Sequence, residues 1–551
     1  LRNGTYELKF NSLLVLAGGR LEVDGLRGAV GSGGLDWRSG TLQLHGNARL
    51  AENLPAQLAL RSGQRLIADG SLSIDHGSQL LLQGGVLSFA VLNLDGGRLD
   101  LNPQQALGGH FAWQRGTLAM RGDVALDNPW LGGRATLAQG RTLEVGGQLQ
   151  LGQGQLTVAQ GGVLVAQGVQ GSGRLVLDGG MLRTETFGAE TAARLSWQRG
   201  TLAITGDGGA ALGQGGLKKL TLLNEGQTLQ VSQTLSLARG TQLLLNGGQI
   251  DAGTLALQGG ALISTGAPIL LGDVRTLQGH GLVSGAVQGA ARTQLVAQGG
   301  TLTLGDADQL GGFVHAGTLS VHSGATALLL SADAARLGAS TELQAGARLS
   351  TLNGALLSQG TVLQSHGDAT VQGEFINQGR VQGENGTLSF LNDVRGAGSF
   401  AGSVLFKAGY RPGNSDASVD FGGGQLSFAP GSVLNIELFG ARPGQQYDQL
   451  LNIGSLDFQG SLNLVFAAGF VPTAGSSFAL FDFKSFSGSF DPSRISVSGF
   501  DRSRLDFSDI SSNGRVLVSA VPEPHTYALM LAGLLAVAGT ARRRAAKALP
   551  C

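Results

Sequence analysis

The sequence predicts an all-β fold: a right-handed parallel β-helix (a β-solenoid), followed by a C-terminal β-rich cap and one C-terminal hydrophobic helix. Glycine accounts for 92 of the 551 residues, and a short strand pattern recurs along most of the chain. Apolar residues at helical spacing are almost confined to the C-terminus. We expect solenoid repeats over 1–400, the cap over 401–520, a separate C-terminal segment over 521–544 and a tail over 545–551.

The recurring strand pattern is Gly-x-Leu-x-apolar, as in Gly97-Arg-Leu-Asp-Leu101, Gly173-Arg-Leu-Val-Leu177 and Gly300-Thr-Leu-Thr-Leu304. Successive side chains of a strand point to opposite faces, so each copy puts its apolar pair on one face, and the glycine supplies a turn. Such a strand cannot bury its apolar face alone, so we expect strands to stack as rungs. About twenty rungs at ~4.8 Å each would span on the order of 100 Å. The alternative, β-sandwich modules, would need longer strands.

A longer repeat is superimposed on the strand pattern. Trp37-Arg-Ser-Gly-Thr-Leu returns as Trp113-Gln-Arg-Gly-Thr-Leu and as Trp197-Gln-Arg-Gly-Thr-Leu, at two similar intervals. With rungs of roughly 20 residues, this unit comprises about four turns of the coil. We interpret each tryptophan as a bulky wedge within its rung, and the alternative is a ladder on which sugar rings stack.

The composition changes at about residue 400, where phenylalanine and proline become frequent and the strands lengthen. Several segments there resemble the end of the β-helical repeat region in exported, autotransporter-like bacterial proteins: Tyr410-Arg-Pro-Gly-Asn-Ser415, Gly431-Ser-Val-Leu-Asn-Ile-Glu-Leu438, Pro443-Gly-Gln-Gln-Tyr-Asp448 and Gly469-Phe-Val-Pro472. The resemblance implies a cap. A cap is physically useful because the open end of a solenoid exposes unpaired strand edges that invite aggregation.

Charge and cysteine content exclude several function classes. The 38 basic and 38 acidic side chains balance, so we expect no electrostatic attraction to nucleic acid. Cys551 is the single cysteine, which excludes disulfides within the chain and a cysteine nucleophile in its body. The first residue is Leu1 and no signal peptide is visible, so we expect that a leader has been lost from the N-terminus.

No arrangement typical of catalysis or metal binding is visible in the repeats. The seven histidines before the C-terminal segment are scattered, and only His315 and His322 are close in sequence. Acidic residues are sparse and mostly lie in turn patterns such as Asp95-Gly-Gly97. The sequence therefore predicts no catalytic residue, no metal, no cofactor and no enzymatic activity. The alternative is a β-helix lyase or glycosidase, which three or more acidic side chains in one groove would favour.

The C-terminal segment has three parts in order. Val521-Pro522-Glu523-Pro524 comes first, and residues 527–541 then lack any charge. As a helix these roughly 15 residues would be about 22 Å long, slightly short for a bilayer core. Arg542, Arg543 and Arg544 follow as a basic stop that keeps this end cytoplasmic. The predicted membrane helix contains Tyr527, Leu529, Met530, Leu531, Leu534, Leu535 and Val537.

This Pro-Glu-Pro motif, apolar helix and arginine cluster together resemble a PEP-CTERM sorting signal. The resemblance implies recognition by an exosortase, a membrane-embedded cysteine protease-transpeptidase of Gram-negative bacteria that make exopolysaccharide. It assigns recognition to Pro522, Glu523 and Pro524, transient membrane insertion to residues 527–541, and the stop to the three arginines. The alternative is a C-terminal anchor that is simply retained.

These features together predict an exported structural or adhesive β-solenoid of the cell surface or extracellular matrix. The expected route is transient anchoring in the inner membrane with the body in the periplasm, followed by exosortase-type processing. Exosortase, the inner membrane and exopolysaccharide are the predicted partners, and nucleic acid is not one. The alternative function is a carbohydrate-active β-helix enzyme that is displayed in the same way.

Overall fold

Leucines, most of them from the Gly-x-Leu pattern, stack on one another in the computed structural model of the protein. Leu99, Leu118 and Leu143 occupy equivalent positions on three neighbouring parallel strands, and each is fully buried. The same column, no more than 1% exposed, continues through Leu164, Leu182, Leu202 and Leu229. Because each leucine covers the apolar face of the next, the short strands acquire a continuous core that none could form alone.

The predicted parallel β-solenoid is confirmed. Strands make up 62% of the residues and helices 6%, and the coil has about 19 turns. The structure describes residues 4–7, 13–27, 34–106, 108–272, 275–413, 417–519 and 524–545. The chain forms two compact units: the first comprises Leu1–Val296 and Gly300–Asp306, and the second Ala297–Gly299 and Ala307–Cys551.

The first unit contains almost all of the longest strands, and several of these pair with a register shift partway along their length. Its strands are β1 (Thr5–Glu7), β2 (Leu13–Val23), β3 (Gly25–Arg27), β4 (Gly34–Leu44), β5 (Ala48–Arg49), β6 (Gln57–Arg61), β7 (Gln64–Asp75), β8 (Gln79–Gln83), β9 (Val86–Leu101), β10 (His110–Met120), β11 (Val124–Ala125), β12 (Arg134–Leu137), β13 (Arg141–Gln150), β14 (Gln155–Ala159), β15 (Val163–Gln170), β16 (Arg174–Phe187), β17 (Leu195–Ile204), β18 (Ala210–Leu212), β19 (Leu222–Asn224), β20 (Gln227–Ala238), β21 (Gln242–Asn246), β22 (Gln249–Ser264), β23 (Ile269–Leu270), β24 (Thr276–Ser284), β25 (Val287–Gly289) and β26 (Gln294–Asp306). It also has a helix, α1 (Ala189–Arg194), and a 3₁₀ turn at Gly215–Leu217.

In the second unit the strands are mostly shorter and each side of a turn is a separate strand. They are β27 (Phe313–His315), β28 (Thr318–Val321), β29 (Thr326–Ser331), β30 (Ala335–Leu337), β31 (Ser340–Gln344), β32 (Arg348–Thr351), β33 (Ala355–Leu357), β34 (Val362–His366), β35 (Ala369–Gln372), β36 (Phe375–Asn377), β37 (Arg380–Phe390), β38 (Val394–Arg395), β39 (Ser399–Phe406), β40 (Gly409–Arg411), β41 (Ser418–Asp420), β42 (Gln425–Phe428), β43 (Val433–Leu438), β44 (Gln449–Phe458), β45 (Ser461–Phe466), β46 (Ser477–Ala479), β47 (Phe481–Gly488), β48 (Ile495–Ser498), β49 (Leu505–Asp506) and β50 (Arg515–Val518). The helices are α2 (Ile510–Asn513), α3 (Pro524–Ala545) and 3₁₀ turns at Pro492–Arg494 and Arg502–Arg504.

The phenylalanines of the second unit form a column of the same kind as the leucines. Phe390, Phe406, Phe428 and Phe458 are in register on parallel strands and no more than 1% exposed. Their successive ring centroids are 5.6, 5.4 and 5.2 Å apart. The composition change near residue 400 is therefore a change of core filling from aliphatic to aromatic side chains.

Parallel pairing continues past residue 400. Strands β38, β40, β43, β45 and β48 follow one another in a single parallel sheet. The pairing differs only near the end of the coil, where β46, β50 and β49 form a separate three-stranded antiparallel sheet. The cap predicted over 401–520 thus contains several turns of the coil as well as this terminal sheet.

Each tryptophan of the long repeat closes its own turn. The indole Nε1 donates to the carbonyl oxygen of the glycine three residues later, at 3.1–3.3 Å, in the pairs Trp37–Gly40, Trp113–Gly116 and Trp197–Gly200. Trp37 itself is only 9% exposed. This geometry supports the interpretation of the repeat as a structural wedge, because the polar edge of each ring is already used inside the protein.

Gly116, in the second copy of this turn, has no room for a side chain. Its φ is 101°, and a Cβ atom would lie 2.5 Å from the Gly97 carbonyl oxygen of the neighbouring strand. We expect Gly116→Ala to lower the free energy of unfolding by more than ~3 kcal/mol, because the obstacle is backbone and cannot rotate away.

Two other glycines of the first unit distinguish the effect of steric overlap from that of backbone strain. Gly122 has φ 72° with open space around its Cβ position, so Gly122→Ala should cost about 1–2 kcal/mol through backbone strain alone. Gly208 has open space and no positive φ, so Gly208→Ala should stay within about 0.5 kcal/mol of the natural protein. Urea unfolding followed by circular dichroism measures all three, and equal midpoints for Gly116→Ala and Gly208→Ala would contradict the prediction.

Candidate functional site

The C-terminal segment is helical where sequence patterning predicts a helix. Helix α3 begins at Pro524 and ends at Ala545. Pro524 can be the first residue of the helix, because the backbone N–H groups of a first helical turn make no hydrogen bond within the helix. Proline lacks this N–H group, so no helical hydrogen bond is lost there. The uncharged stretch over 527–541 lies entirely within the helix.

The apolar side chains of α3 are exposed on every side of the helix. Leu529, Met530 and Leu531 follow one another around its circumference and are 63–71% exposed. Leu534, Leu535 and Val537 continue the pattern at 66–68%. A helix that is apolar all round, rather than along one stripe, is not built to pack against a solenoid face. The apolar surface of α3 is more stable in an apolar environment than in water.

The membrane prediction for this helix gains no support from the structure. Within the residues that the structure describes, no helix is long and apolar enough to cross a bilayer. The predicted transmembrane helix is therefore unsupported.

The recognition and stop residues fall largely outside what the structure describes. Pro522 and Glu523 lie outside the described residues. The same holds for the side chains of Pro524, Tyr527, Arg543 and Arg544. Arg542 is described and exposed at the end of the apolar stretch. The roles expected for these residues remain predictions.

A charged groove lies on the parallel sheet of the second unit, where no site was predicted. Glu374 and Asp393 immediately precede the paired strands β36 and β38, so they lie one turn of the coil apart. Arg395 and Arg411 are in register on the adjacent strands β38 and β40. Stacking of successive turns thus brings two acidic and two basic residues, distant in sequence, to one place.

The charged groove is defined by Glu374, Asp393, Arg395, Arg411 and Glu437. Its main hollow has a volume of about 400 Å³, and an adjoining hollow of about 90 Å³ shares Glu374, Arg395 and Arg411 with it. Arg395 Nε donates to Glu374 Oε1 at 2.7 Å, and Asp393 Oδ1 accepts from the Gly409 amide at 2.8 Å. Neither the Arg411 guanidinium nor the Glu437 carboxylate pairs with a described residue. Among the described residues, the groove therefore offers a guanidinium and a carboxylate that no other side chain engages.

A row of neutral polar side chains extends from the charged groove along the sheet. Pairing of Tyr410 with Leu434 places Asn435 beside Arg411. Asn463 Nδ2 donates to Asn435 Oδ1 at 2.9 Å, and the Ser496 hydroxyl donates to Asn463 Oδ1 at 3.0 Å. We call Asn435, Asn463 and Ser496 the polar column. It presents hydrogen-bonding groups at the spacing of parallel strands, about 4.8 Å.

The two histidines that are close in sequence do not form a common site. His315 is 3% exposed, and burial lowers the pKa of its imidazole, so the neutral form is favoured in the folded chain. His322 lies at the end of the next strand and is half-buried. Across the described parts of the chain, no group of three or more His, Cys, Asp or Glu side chains is placed to hold a metal ion.

Fold and C-terminus together define a parallel β-solenoid that ends in a short segment with an exposed apolar helix. Residues 520–545 match the family model of the PEP-CTERM protein-sorting motif. The predicted sorting signal is thereby confirmed, and it implies an exported protein that an exosortase sorts through its C-terminal anchor. No curated protein matches the chain. The resemblance of residues 410–472 to autotransporter-like repeats remains a prediction.

Proposed function

We propose that the protein is a non-enzymatic structural or adhesive component of the cell surface or extracellular matrix. In this proposal the solenoid is exported, anchored briefly in the inner membrane through its C-terminus, trimmed near residues 522–524 and held in exopolysaccharide. The observation that supports it most directly is the PEP-CTERM motif at residues 520–545, at the end of a parallel coil.

The charged groove and the polar column are the surface that we propose for polysaccharide. Polysaccharides offer closely spaced hydroxyl groups, which pair with amide, hydroxyl, guanidinium and carboxylate groups. The ion pair of Arg395 with Glu374 is solvent-exposed, and such pairs typically contribute only ~0–1 kcal/mol to stability. These charges are therefore not needed for folding.

Binding of the purified full chain to exopolysaccharide of the producing bacterium tests this role. Arg411→Ala combined with Asn435→Ala should weaken retention in affinity electrophoresis at least several-fold, because the changes remove an exposed guanidinium and a half-buried amide from the proposed surface. Arg336→Ala is the matched control, since Arg336 is an exposed arginine on the same sheet outside the groove. Equal retention of the double variant and the natural protein would contradict the proposal.

One observation favours a second candidate function, a carbohydrate-active enzyme. Glu374, Asp393 and Glu437 are three acidic residues around the charged groove, and such a cluster favours a lyase or glycosidase over a purely structural role. Glu374 and Asp393 each use one carboxylate oxygen in a hydrogen bond within the protein, whereas no described residue pairs with the Glu437 carboxylate. Release of reducing ends from exopolysaccharide, abolished by Glu437→Gln, would establish the enzyme. Absence of release under conditions that permit binding would leave the structural role.

A further inference from the structure

In the described part of the first unit, two neighbouring connections between strands form short helical segments instead of plain turns. Between β16 and β17 the chain forms the short helix α1, and between β18 and β19 it forms the 3₁₀ turn Gly215–Leu217. These two segments contact each other and both contact β16. Together with β17 they surround a cavity of about 430 Å³, which we call the insertion cavity.

The described lining of the insertion cavity is apolar apart from two cations. Its larger side chains are Phe187, Leu195, Trp197, Leu202, Leu217 and Leu220. The Trp197 Nε1 group donates to the Gly200 carbonyl oxygen at 3.1 Å, so the ring offers the cavity carbon surface rather than a donor. Among the described side chains of the lining, none carries a hydroxyl, amide or carboxylate.

Lys218 and Lys219 supply the cations. Both are exposed, and neither ammonium group pairs with an acidic side chain among the described residues. Lysine is rare in this protein, so an adjacent pair beside an apolar cavity is a distinct local feature. Two ammonium groups beside one cavity, with no acidic partner among the described side chains, favour an anion there.

The lining decides between the classes of ligand. A sugar would lose its water contacts on entering a cavity without neutral hydrogen-bonding side chains, which is unfavourable. An alkyl chain is stabilised by leaving water for the same apolar lining. The cavity volume is also within the usual range of several hundred Å³ for small-molecule pockets. We propose that the insertion cavity binds a fatty acid, with the chain against Trp197 and Leu217 and the carboxylate at Lys218 and Lys219.

Tryptophan fluorescence of the full chain, titrated with dodecanoate below its micelle concentration, tests the proposal. We expect saturable binding whose signal is lost in Trp197→Phe. Shortening the ligand to octanoate should weaken binding by about fourfold for each methylene that the cavity buries. Dodecanol, which has the chain without the charge, should bind at least tenfold more weakly.

Two variants test the lysine pair and the apolar cavity separately. Lys218→Ala with Lys219→Ala should weaken dodecanoate about tenfold and leave dodecanol unchanged, whereas Lys407→Ala, an exposed lysine of the second unit, should change neither. Ala192→Phe should fill the cavity and weaken both ligands, with circular dichroism as the check on folding. No saturable binding, or equal dodecanoate affinity after loss of both lysines, would overturn the proposal. A preference for lysophosphatidylglycerol over dodecanoate would also overturn it, because the head group would then be a phosphate.

Discussion

Replacing Pro522, Glu523 and Pro524 together by alanine should leave the C-terminal segment attached to the protein and stop its release from the cell. Three alanines allow α3 to begin about one turn earlier, because a proline disfavours the helical conformation in the residue before it and alanine does not. The proline-free segment would no longer present an extended backbone to a protease, since X-Pro sequences disfavour helical conformations. We expect unprocessed protein to accumulate in the inner membrane.

Intact-mass measurement of secreted and membrane-bound protein decides the outcome. His525→Ala is the matched control, because His525 adjoins the motif without being part of it, and this variant should be processed normally. Natural protein recovered outside the cell with residues 542–551 still attached would show that the segment is not a processing signal. A triple-alanine variant secreted in trimmed form would mean that recognition uses other residues.

The core could be predicted from the sequence because one local rule generates it. A glycine followed two residues later by leucine fixes both a turn and the inward face of the next strand, so Leu99 and Leu118 fall into one column whatever the length of the connection. The sorting segment was predictable for a similar reason. Its three parts are contiguous in sequence, so their order needs no knowledge of the fold.

The charged groove could not be predicted because its residues meet only through the register of successive turns. The interval from Glu374 to Asp393 is longer than the interval from Arg395 to Arg411, although each pair is separated by one turn of the coil. Turn lengths therefore vary within the same sheet, and the approximate period of the repeat cannot align side chains to within one position. A slip by a single position would move a side chain from the outer to the inner face. Only the pairing of β38 with β40 fixes the alignment.

The insertion cavity was missed for a different reason. Its walls come from two breaks in the repeat, at 188–194 and 213–220, and breaks carry no period. The tryptophan spacing does not reveal them, because the second break follows Trp197, and the turn that contains the first break, from Leu182 to Leu202, is shorter than the turn from Leu118 to Leu143.

Truncating Phe406 should produce the largest loss of stability among single changes in the second unit. The ring is fully buried and contacts Phe390, Phe400, Tyr410 and Phe428, with centroid distances of 4.4–5.6 Å. Phe406→Ala should cost about 3–5 kcal/mol, since neighbouring turns of a solenoid cannot collapse into the space. Hydrogen exchange of the amides in β37, β39 and β42 should accelerate accordingly.

Phe439→Ala is the control for that change. Tyr410→Phe is a second comparison, for which no loss of stability is expected. Phe439 is 45% exposed, so its truncation should alter stability by less than about 1 kcal/mol.

Tyr410 is fully buried against Phe406, and its hydroxyl makes no hydrogen bond with any described residue. Burial raises the pKa of this phenol well above its ordinary value, so the group stays neutral, and its unmet hydrogen bond costs about 1–3 kcal/mol. Tyr410→Phe removes that cost and retains the ring, so the urea midpoint should stay the same or rise. A fall as large as that of Phe406→Ala would mean that the hydroxyl has a partner on which this part of the coil depends.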